Sequence, residues 1–444
     1  MLNPRRALAS LASLASLASL AAGACDARPV APLDPPDAGA EAEAPEAFPL
    51  PPSEPGRHDV TVVETRRVVP GPGLPPEAPA LNSNNNLDVV RFEGRVWLAW
   101  RTAPDHFASD KTRMVVVSSA DEITWKHEKT FATGTDVREP RFLVANGSLF
   151  LYLAQLGADP VRFEPKGVWF SKRADDGAFS ELAPVMRASA SADAGAPAPM
   201  TGYIAWRTKT ERGKPYMTAY LGGEHIYQFD GLPLDVELLT TDDGVTWRGV
   251  DPARPVVSRG GGSETDFALG DDGTLFGVIR NEAGDATGYG SKVCRAAAGD
   301  LATWTCKSDP KKYDSPLMFW HDGEAYLVGR RNVSATGNYD LGARDPNIQQ
   351  NVLAFQLDYR THTKRCAIWR YVQREDRIAY IADLPSRGDT CFPSILDRPE
   401  PGATPQELVV YDYSSNIDGD DVSWGEGQAG PTFVYRHVLR FTRR

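Results

Sequence analysis

Residues 240–247 read Thr-Thr-Asp-Asp-Gly-Val-Thr-Trp and follow the pattern [Ser/Thr]-x-Asp-x-Gly-x-Thr-Trp. In a tight turn, an Asp side chain accepts hydrogen bonds from nearby backbone N–H groups, and Gly adopts a φ that other residues avoid. The closing Trp has a large apolar surface, which we expect to pack between neighbouring strands. The stretch therefore predicts a strand–turn–strand unit with a structural role.

Three degenerate copies of this pattern occur elsewhere in the chain. Residues 118–125 are one residue short of it, residues 171–179 keep Asp-Asp-Gly with Phe as the closing aromatic, and residues 298–304 keep Asp and Thr-Trp. The closing aromatics, Trp125, Phe179, Trp247 and Trp304, are 54 to 68 residues apart. A loose repeat of this length, with strand-like sequence between the copies, is typical of propeller blades.

From this repeat, the sequence predicts an all-β, six-bladed β-propeller over residues 59–444. Residues 60–65 form a short strand that we expect to complete the last blade, and no room remains for a second domain. The blades are expected to begin near Asn84, Asp136, Gly202, Glu264, Ser315 and Gly388.

The composition agrees with a turn-rich β domain and excludes some partners. The 444 residues include 39 Gly and 35 Pro, and 41% are hydrophobic. The 59 acidic side chains outnumber the 48 basic ones, which argues against nucleic acid and polyanionic substrates. A small monoanion is not excluded.

The N-terminus is predicted to direct export. Residues 1–24 combine Arg5 and Arg6 with a mildly apolar Leu-Ala-Ser stretch, as in a signal peptide. Residues 22–25 are similar to a bacterial lipobox, so Cys25 is expected to carry lipid; cleavage to a soluble secreted protein is the alternative. Residues 25–58, rich in Pro and acidic residues, are expected to be a disordered linker.

Four other cysteines remain. Cys294 and Cys306 flank the fourth copy of the pattern on strands that should be antiparallel, so a disulfide between them is plausible in an oxidising compartment. Cys366 and Cys391 are the remaining pair. We predict no zinc site and no other metal, because no CxxC motif or His cluster accompanies these residues.

Polar residues recur where the innermost strands begin and where the second strands end. Because innermost strands line the central channel of a propeller, these side chains should converge in one funnel. There they form either a ligand site or a self-neutralising ion network. The first group is Asp88, Arg138, Glu139, Glu264, Asp314 and Asp389, and the second is Arg101, Arg280, Arg330 and Arg331.

Residues 264–281 resemble the E…LxDGxLxxxxR segment of sialidases. A wider resemblance, to bacterial exo-alpha-sialidase-like proteins, covers nearly the whole domain. Its motifs are found in residues 84–111, 137–141, 384–393 and 411–416, the last two reading Leu-Pro-Ser-Arg-Gly-Asp-Thr-Cys-Phe-Pro and Tyr-Asp-Tyr-Ser-Ser-Asn.

The resemblance implies a mechanism in which three Arg hold the substrate carboxylate, because planar guanidinium groups match a carboxylate. Arg280 is one such Arg, Arg330 or Arg331 another, and Arg101 or Arg138 the third. The resemblance also implies a Tyr nucleophile, a Glu that helps to deprotonate it and an Asp as acid/base. These roles fall on Tyr413, Glu264 and Asp110, with Asp105 as the competitor of Asp110. Asp88, Glu139 and Asp389 are the remaining candidates for substrate contact.

Two departures from the family pattern bear on the substrate. Asn84-Asn85-Asn86 replaces the Arg-Ile-Pro of sialidases, and Asn416 stands where related sequences have His. We therefore predict an exported, lipid-anchored glycosidase for terminal acidic sugars of glycans, without a cofactor, monomeric, and attached to the membrane only through its lipid. The alternatives are a non-catalytic carbohydrate-binding lipoprotein and a scaffold for protein partners.

Overall fold

Antiparallel strands account for most of the described chain. The computed structural model describes residues 48–189, 195–396 and 406–444. One compact unit runs from Pro52 to Arg444. The predicted signal peptide, Cys25 and most of the predicted linker lie outside the described residues.

Four segments of the chain each form a four-stranded antiparallel sheet whose strands follow one another in sequence. Counted along the chain, these are sheets 1, 2, 4 and 5 of the propeller. Sheet 1 contains β2 (Ser83–Phe92), β3 (Arg95–Ala103), β4 (Arg113–Ser119) and β5 (Trp125–Phe131). Sheet 2 contains β6 (Val137–Ala145), β7 (Ser148–Leu156), β8 (Pro165–Lys172) and β9 (Ala183–Pro184). Sheet 4 contains β17 (Thr265–Leu269), β18 (Leu275–Ile279), β19 (Lys292–Ala297) and β20 (Asp300–Ser308). Sheet 5 contains β21 (Asp314–His321), β22 (Glu324–Asn332), β23 (Lys364–Val372) and β24 (Arg377–Asp383).

Sheet 6 joins the two ends of the domain. Its strands are β25 (Ser394–Leu396), β26 (Glu407–Ser415), β27 (Thr432–Arg443) and β1 (His58–Val69). The strand β1 pairs with β27 along its length, from His58 opposite Arg443 to Val69 opposite Val434. The predicted closure of the last sheet by an N-terminal strand is confirmed.

Sheet 3 departs from the regular blade. It has seven strands in the described residues: β10 (Met186–Arg187), β11 (Ala198–Pro199), β12 (Tyr203–Glu211), β13 (Lys214–Leu221), β14 (Leu234–Thr241), β15 (Thr246–Gly249) and β16 (Val256–Gly260). The predicted six-bladed propeller is therefore corrected, because the structure shows five regular four-stranded blades rather than six. Two short strands that flank a low-complexity stretch, β10 and β11, pair with each other at the edge beside β15.

The turn at residues 240–247 is stabilised by Asp243, which directly follows Asp242, the Asp of the sequence pattern. The carboxylate of Asp243, rather than that of Asp242, accepts hydrogen bonds from the backbone N–H groups of Val245 (2.8 Å) and Thr246 (2.7 Å). The side chain of Asp242 is exposed and pairs with Arg248 at 2.8 Å.

The copy at residues 118–125 has the same turn. Asp121 accepts from the N–H groups of Ile123 and Thr124, both at 2.8 Å. When the sequences are aligned on the acceptor Asp, this copy is not one residue short. The Trp that closes each turn, Trp125 or Trp247, is buried.

Removing the acceptor carboxylate should destabilise the fold. We expect Asp243→Ala to lower the free energy of unfolding by about 1–3 kcal/mol, because two backbone donors lose their acceptor. Asp242→Ala is the matched control and should cost about 0–1 kcal/mol, since it removes an exposed ion pair. Urea denaturation of both variants measures the difference. Equal losses would show that Asp243 does not hold the turn.

Helices are few and lie in the loops between strands. Helix α1 (Ile348–Thr361) is in the connection between β22 and β23, and helix α2 (Trp424–Ala429) is in the connection between β26 and β27. The helix α1 begins at Asn347, whose side chain accepts from the N–H of Gln349, and α2 begins with a capping box between Ser423 and Glu426. Neither helix has the length and apolar character needed to span a membrane, and no other described helix has them.

The hydrophobic core lies within and between the sheets. Trp97, Trp100, Trp206, Trp247 and Trp369 are among its largest fully buried side chains. Trp100 and Trp206 are therefore core residues.

Candidate active site

The hairpin of β17 and β18 places Glu264 beside Arg280. Glu264 directly precedes β17 and Arg280 directly follows β18, and the N–H of Arg280 donates to the carbonyl oxygen of Glu264 at 2.9 Å. Their side chains form an ion pair in which Nη1 of Arg280 lies 2.8 Å from Oε1 of Glu264. Two residues 16 positions apart are therefore brought into contact by one antiparallel pair of strands.

Arg280 also contacts acidic and hydroxyl groups from other loops. Its Nη2 atom lies 3.0 Å from Glu282 and donates to the phenol oxygen of Tyr227 at 2.8 Å. Its Nε atom donates to the hydroxyl of Ser263 at 2.9 Å. The guanidinium is thus saturated by protein groups in this structure.

Asp314, the first residue of β21, is the second centre of charge. Its Oδ2 atom accepts from Nη1 of Arg330 at 3.0 Å and from the phenol O–H of Tyr359 in α1 at 2.9 Å. Its Oδ1 atom lies 3.6 Å from Lys312 and 3.7 Å from Arg280. Asp314 therefore joins sheets 4 and 5 in one network, and Lys312 extends it by pairing with Glu282.

The carboxyl groups of this network differ in their proton affinity. Burial raises the pKa of Glu264 to about 7, and the negative charges of Asp314 and Glu139 add to the shift, against the opposing effect of Arg280. Burial also acts to raise the pKa of Asp314, but Lys312, Arg330 and Arg280 outweigh it and hold that pKa below its usual value. Neighbouring carboxyl groups whose pKa values are pushed apart are suited to acid/base roles.

Asp389 forms a third part of the cluster, on the loop before β25. Its Oδ1 atom accepts from the phenol O–H of Tyr413 at 2.9 Å and from the indole N–H of Trp424 at 3.0 Å, and its Oδ2 atom lies 2.7 Å from Nδ1 of His106. Arg330 connects this part to Asp314, because its Nη2 atom also lies 3.4 Å from the phenol oxygen of Tyr413.

Arg101 and Arg138 share one buried carboxylate, that of Asp136. Nε of Arg101 donates to Oδ1 at 2.8 Å, and Nε of Arg138 donates to Oδ2 at 2.6 Å. The other nitrogens of Arg101 donate to Asn85 and to the carbonyl oxygens of Asp105 and Phe107. Arg101 is fully buried and saturated, whereas the side chain of Arg138 is 14% exposed.

The structure brings most of the predicted site residues together, but leaves out three. Asp110 is exposed, and its side chain makes no hydrogen bond or ion pair to any described residue. Arg331 points away from Arg330 and donates to Asp383 at 2.8 Å, since successive residues of a strand face opposite sides. Asp88 is buried and makes its hydrogen bonds outside the cluster, accepting from the N–H of Phe142 and the hydroxyl of Ser394, both at 2.6 Å.

One predicted contact therefore needs correction, and the two alternatives Arg330 and Arg331 differ in position. Glu264 makes no hydrogen bond to Tyr413 among those found in the described residues, because Asp389 occupies that position. Arg331 does not contribute to the cluster, so Arg330 is the member of that pair that lies in it.

The predicted site did not include Glu282, Lys312, Tyr227 or Tyr359, and it included Asp314 without a role. The spacings Arg280-x-Glu282 and Lys312-x-Asp314 carry a weak signal, because residues i and i+2 of an extended segment share a face. No local signal identifies Tyr227 or Tyr359, which reach the cluster from loops of other blades.

Two disulfides lie in the described chain, Cys294–Cys306 within sheet 4 and Cys366–Cys391 between β23 and the Asp389 loop. Cys366, Cys391 and Asp412 lie within 4.8 Å of one another, but the disulfide removes both sulfurs as metal ligands.

The Cys366–Cys391 disulfide should stabilise the loop that carries Asp389. We expect the double variant Cys366→Ala/Cys391→Ala to lose about 3 kcal/mol of unfolding free energy, because the two cysteines are 25 positions apart and the bond restricts the unfolded chain. Chemical denaturation with and without a reductant measures this. Full stability after reduction would show that the loop is held by its other contacts alone.

No protein-family model matches the chain, and no curated protein matches it. Among solved structures, a Dyadobacter fermentans protein of unknown function is 14% identical, with a TM-score of 0.57, over 86% of this chain and 99% of that one. A Trypanosoma rangeli sialidase is 12% identical, with a TM-score of 0.49, over 81% of this chain and 55% of its own. A Hadza microbial sialidase is 12% identical, with a TM-score of 0.47, over 81% and 66%.

This chain thus spans between about half and two thirds of the length of these sialidases. At identities of 12–14%, the similarities concern the fold alone. The chain is an all-β propeller whose structural neighbours include sialidases.

Proposed function

We propose that this protein is an exported, lipid-anchored glycoside hydrolase that removes a terminal acidic sugar, such as sialic acid, from glycans. The observation that carries the proposal is the buried pair of Glu264 and Asp314, linked through Arg280. One carboxyl has its pKa raised to about 7, and the pKa of the other is held below its usual value. A group with a pKa near neutrality is suited to proton transfer at physiological pH.

In this proposal, Arg280 and Arg330 bind the sugar carboxylate, with Arg138 as the third cation. Arg280 and Arg330 donate to Glu264, Glu282 and Asp314 in the absence of substrate. A substrate carboxylate would take over part of these contacts. Glu264, whose pKa is raised to about 7, is then suited to be neutralised when the substrate enters.

Tyr413 is the proposed nucleophile. Its phenol O–H donates to Asp389 at 2.9 Å, and Nη2 of Arg330 lies 3.4 Å from the phenol oxygen. Arg330 would stabilise the phenolate, and Asp389, which accepts from the phenol O–H, would take its proton. The acid/base role falls on a carboxyl group inside the cluster rather than on the exposed Asp110.

The disulfides support the proposal of export, because disulfides persist in oxidising compartments and are rare in the cytosol. Membrane attachment through Cys25 rests on the sequence of residues 22–25.

The test is hydrolysis by the purified protein of a fluorogenic α-sialoside, its methyl ester and a panel of neutral glycosides. We expect turnover of the free acid and little of the methyl ester, because esterification removes the charge that Arg280 and Arg330 recognise. Equal turnover of acid and ester would contradict carboxylate recognition. Glycan binding without hydrolysis of any substrate would contradict the hydrolase and favour the carbohydrate-binding alternative. The observation that supports this alternative is that every nitrogen of the Arg280 guanidinium already contacts a protein group.

A further inference from the structure

His106, on the loop between β3 and β4, enters the cluster with one of its two ring nitrogens engaged. Its Nδ1 atom lies 2.7 Å from Oδ2 of Asp389. Its Nε2 atom makes no hydrogen bond to a described residue. The side chain of His106 is 19% exposed, whereas that of Asp389 is fully buried. The imidazole is therefore fixed at its inner nitrogen and leaves its outer nitrogen for a ligand.

Asp389 decides which ring nitrogen of His106 carries the proton. Burial acts to raise the pKa of Asp389, but the contact with His106 and the charge of Arg330 hold that pKa below its usual value. An ionised carboxylate can only accept hydrogen bonds, so the Nδ1–H group of His106 is the donor. The side-chain nitrogen of Asn85 lies farther from the same ring atom, at 3.3 Å. Nε2 is then the atom at which this ring exchanges a proton.

The backbone on both sides of His106 is held by one buried guanidinium, that of Arg101. Its Nη1 atom donates to the carbonyl oxygen of Asp105 at 3.2 Å, and its Nη2 atom donates to that of Phe107 at 2.7 Å. The N–H of His106 itself donates to the carbonyl oxygen of Gln428 in α2 at 3.2 Å. These contacts hold the ring in a fixed position, as proton transfer to a bound substrate requires.

Two other histidines show how this arrangement differs from an ordinary structural one. In His58, which is buried, both ring nitrogens have partners within 3.0 Å. In His225, Nδ1 also contacts an aspartate, Asp230, at 2.6 Å, but both side chains are partly exposed on a surface loop. Of the three, His106 alone shares its carboxylate with the proposed nucleophile, because Asp389 also accepts from the phenol O–H of Tyr413 at 2.9 Å.

We propose that His106 and Asp389 together form the acid/base pair of the hydrolysis, with Nε2 of His106 as the atom that transfers the proton. The inference rests on the proposed function and identifies Asp389, acting through the imidazole, as the carboxyl group with that role. In the first step, the oxygen of Tyr413 bonds to the anomeric carbon and its proton moves to Asp389. The bond to the leaving oxygen breaks, its electron pair goes to that oxygen, and Nε2–H of the imidazolium protonates it.

The second step restores the protein. A water oxygen bonds to the anomeric carbon and one of its protons moves to Nε2 of His106. The bond to Tyr413 breaks, and the phenolate takes its proton back from Asp389. The shared carboxylate couples the two proton transfers, because a protonated Asp389 no longer offers the imidazolium a counter-charge.

The test compares two α-sialosides that differ in their leaving group. The fluorogenic substrate releases an acidic phenol that leaves without a proton, whereas an alkyl α-sialoside releases an alcohol that needs one. His106→Asn keeps an N–H donor for Asp389 and removes the outer nitrogen. We expect it to lower kcat/KM for the alkyl substrate by about 10²–10⁴-fold and for the fluorogenic one by less than about tenfold.

His225→Asn is the matched control, since it removes an imidazole that also contacts an aspartate, and it should leave both rates within about twofold of the unmodified protein. Equal losses on the two substrates in His106→Asn, or no loss on either, would overturn the acid/base pair and leave the hydrolase standing. An unmodified protein that hydrolyses neither substrate would contradict the hydrolase itself, and this inference with it. If His106→Asn does not fold, His106→Gln, whose amide cannot exchange a proton near neutral pH, replaces it with the same expected difference between the substrates.

Discussion

Glu264→Gln should lower kcat for the proposed hydrolysis by about 10²–10⁴-fold, the usual contribution of a general acid or base. The amide keeps the size of the side chain and can still accept from the N–H of Ser315, which donates to Glu264 at 2.7 Å. It cannot exchange a proton near pH 7. Initial rates on the fluorogenic α-sialoside measure the loss.

Glu237→Gln is the matched control for this experiment. Glu237 is also buried and pairs with an arginine, Arg187, at 2.9 Å, but it belongs to sheet 3 outside the cluster. We expect the kcat of Glu237→Gln to remain within about twofold of that of the unmodified protein, a difference in activation free energy of less than about 0.5 kcal/mol. Similar losses in both variants would mean that Glu264 acts through stability and not through proton transfer.

The pH dependence of stability provides a second measurement on Glu264. Its pKa in the folded protein, about 7, lies above the ordinary value of 4.5, so the folded state binds the proton more tightly. The stability that this proton contributes is present below about pH 4.5 and is lost as pH rises through about 7. Glu264→Gln should remove this part of the decline, whereas activity of the unmodified protein should rise over the same interval if Glu264 acts as a base.

Asp314→Ala should lower the free energy of unfolding by about 3–5 kcal/mol, the range for a buried ion pair that loses one partner. Asp314 is buried and contacts Arg330, Lys312 and Tyr359, with Arg280 at 3.7 Å. Its removal leaves cations without their nearest counter-charge in a buried environment. Urea denaturation at pH 7 measures the change.

Asp110→Ala is the control for Asp314→Ala. Because Asp110 is exposed and its side chain makes no hydrogen bond or ion pair among the described residues, the change in unfolding free energy should stay within about 0.5 kcal/mol. The same variant tests the acid/base role that the family resemblance implies for Asp110. If Asp110→Ala retains the kcat of the unmodified protein, a carboxyl group of the buried cluster has the acid/base role. A large loss of kcat would show that Asp110 has this role.

The sequence by itself determined the repeat and therefore the class of fold. The turn patterns around Asp121 and Asp243 depend on hydrogen bonds between residues two and three positions apart, so their signal is local and can be recognised in a single sequence. The pairing of β1 with β27 followed from the need of a closed propeller to complete its last sheet. The contact between Glu264 and Arg280 followed from one hairpin.

Tertiary structure decided which of the polar residues meet. Asp314, Tyr227 and Tyr359 join Arg280 from other loops, and no spacing along the chain encodes contacts between blades. The opposite orientations of Arg330 and Arg331 depend on the register of β22. The pKa of Glu264 depends on burial and on charges from other blades. The sequence therefore shows which charged residues are present, and the arrangement of the sheets in the propeller decides which of them interact.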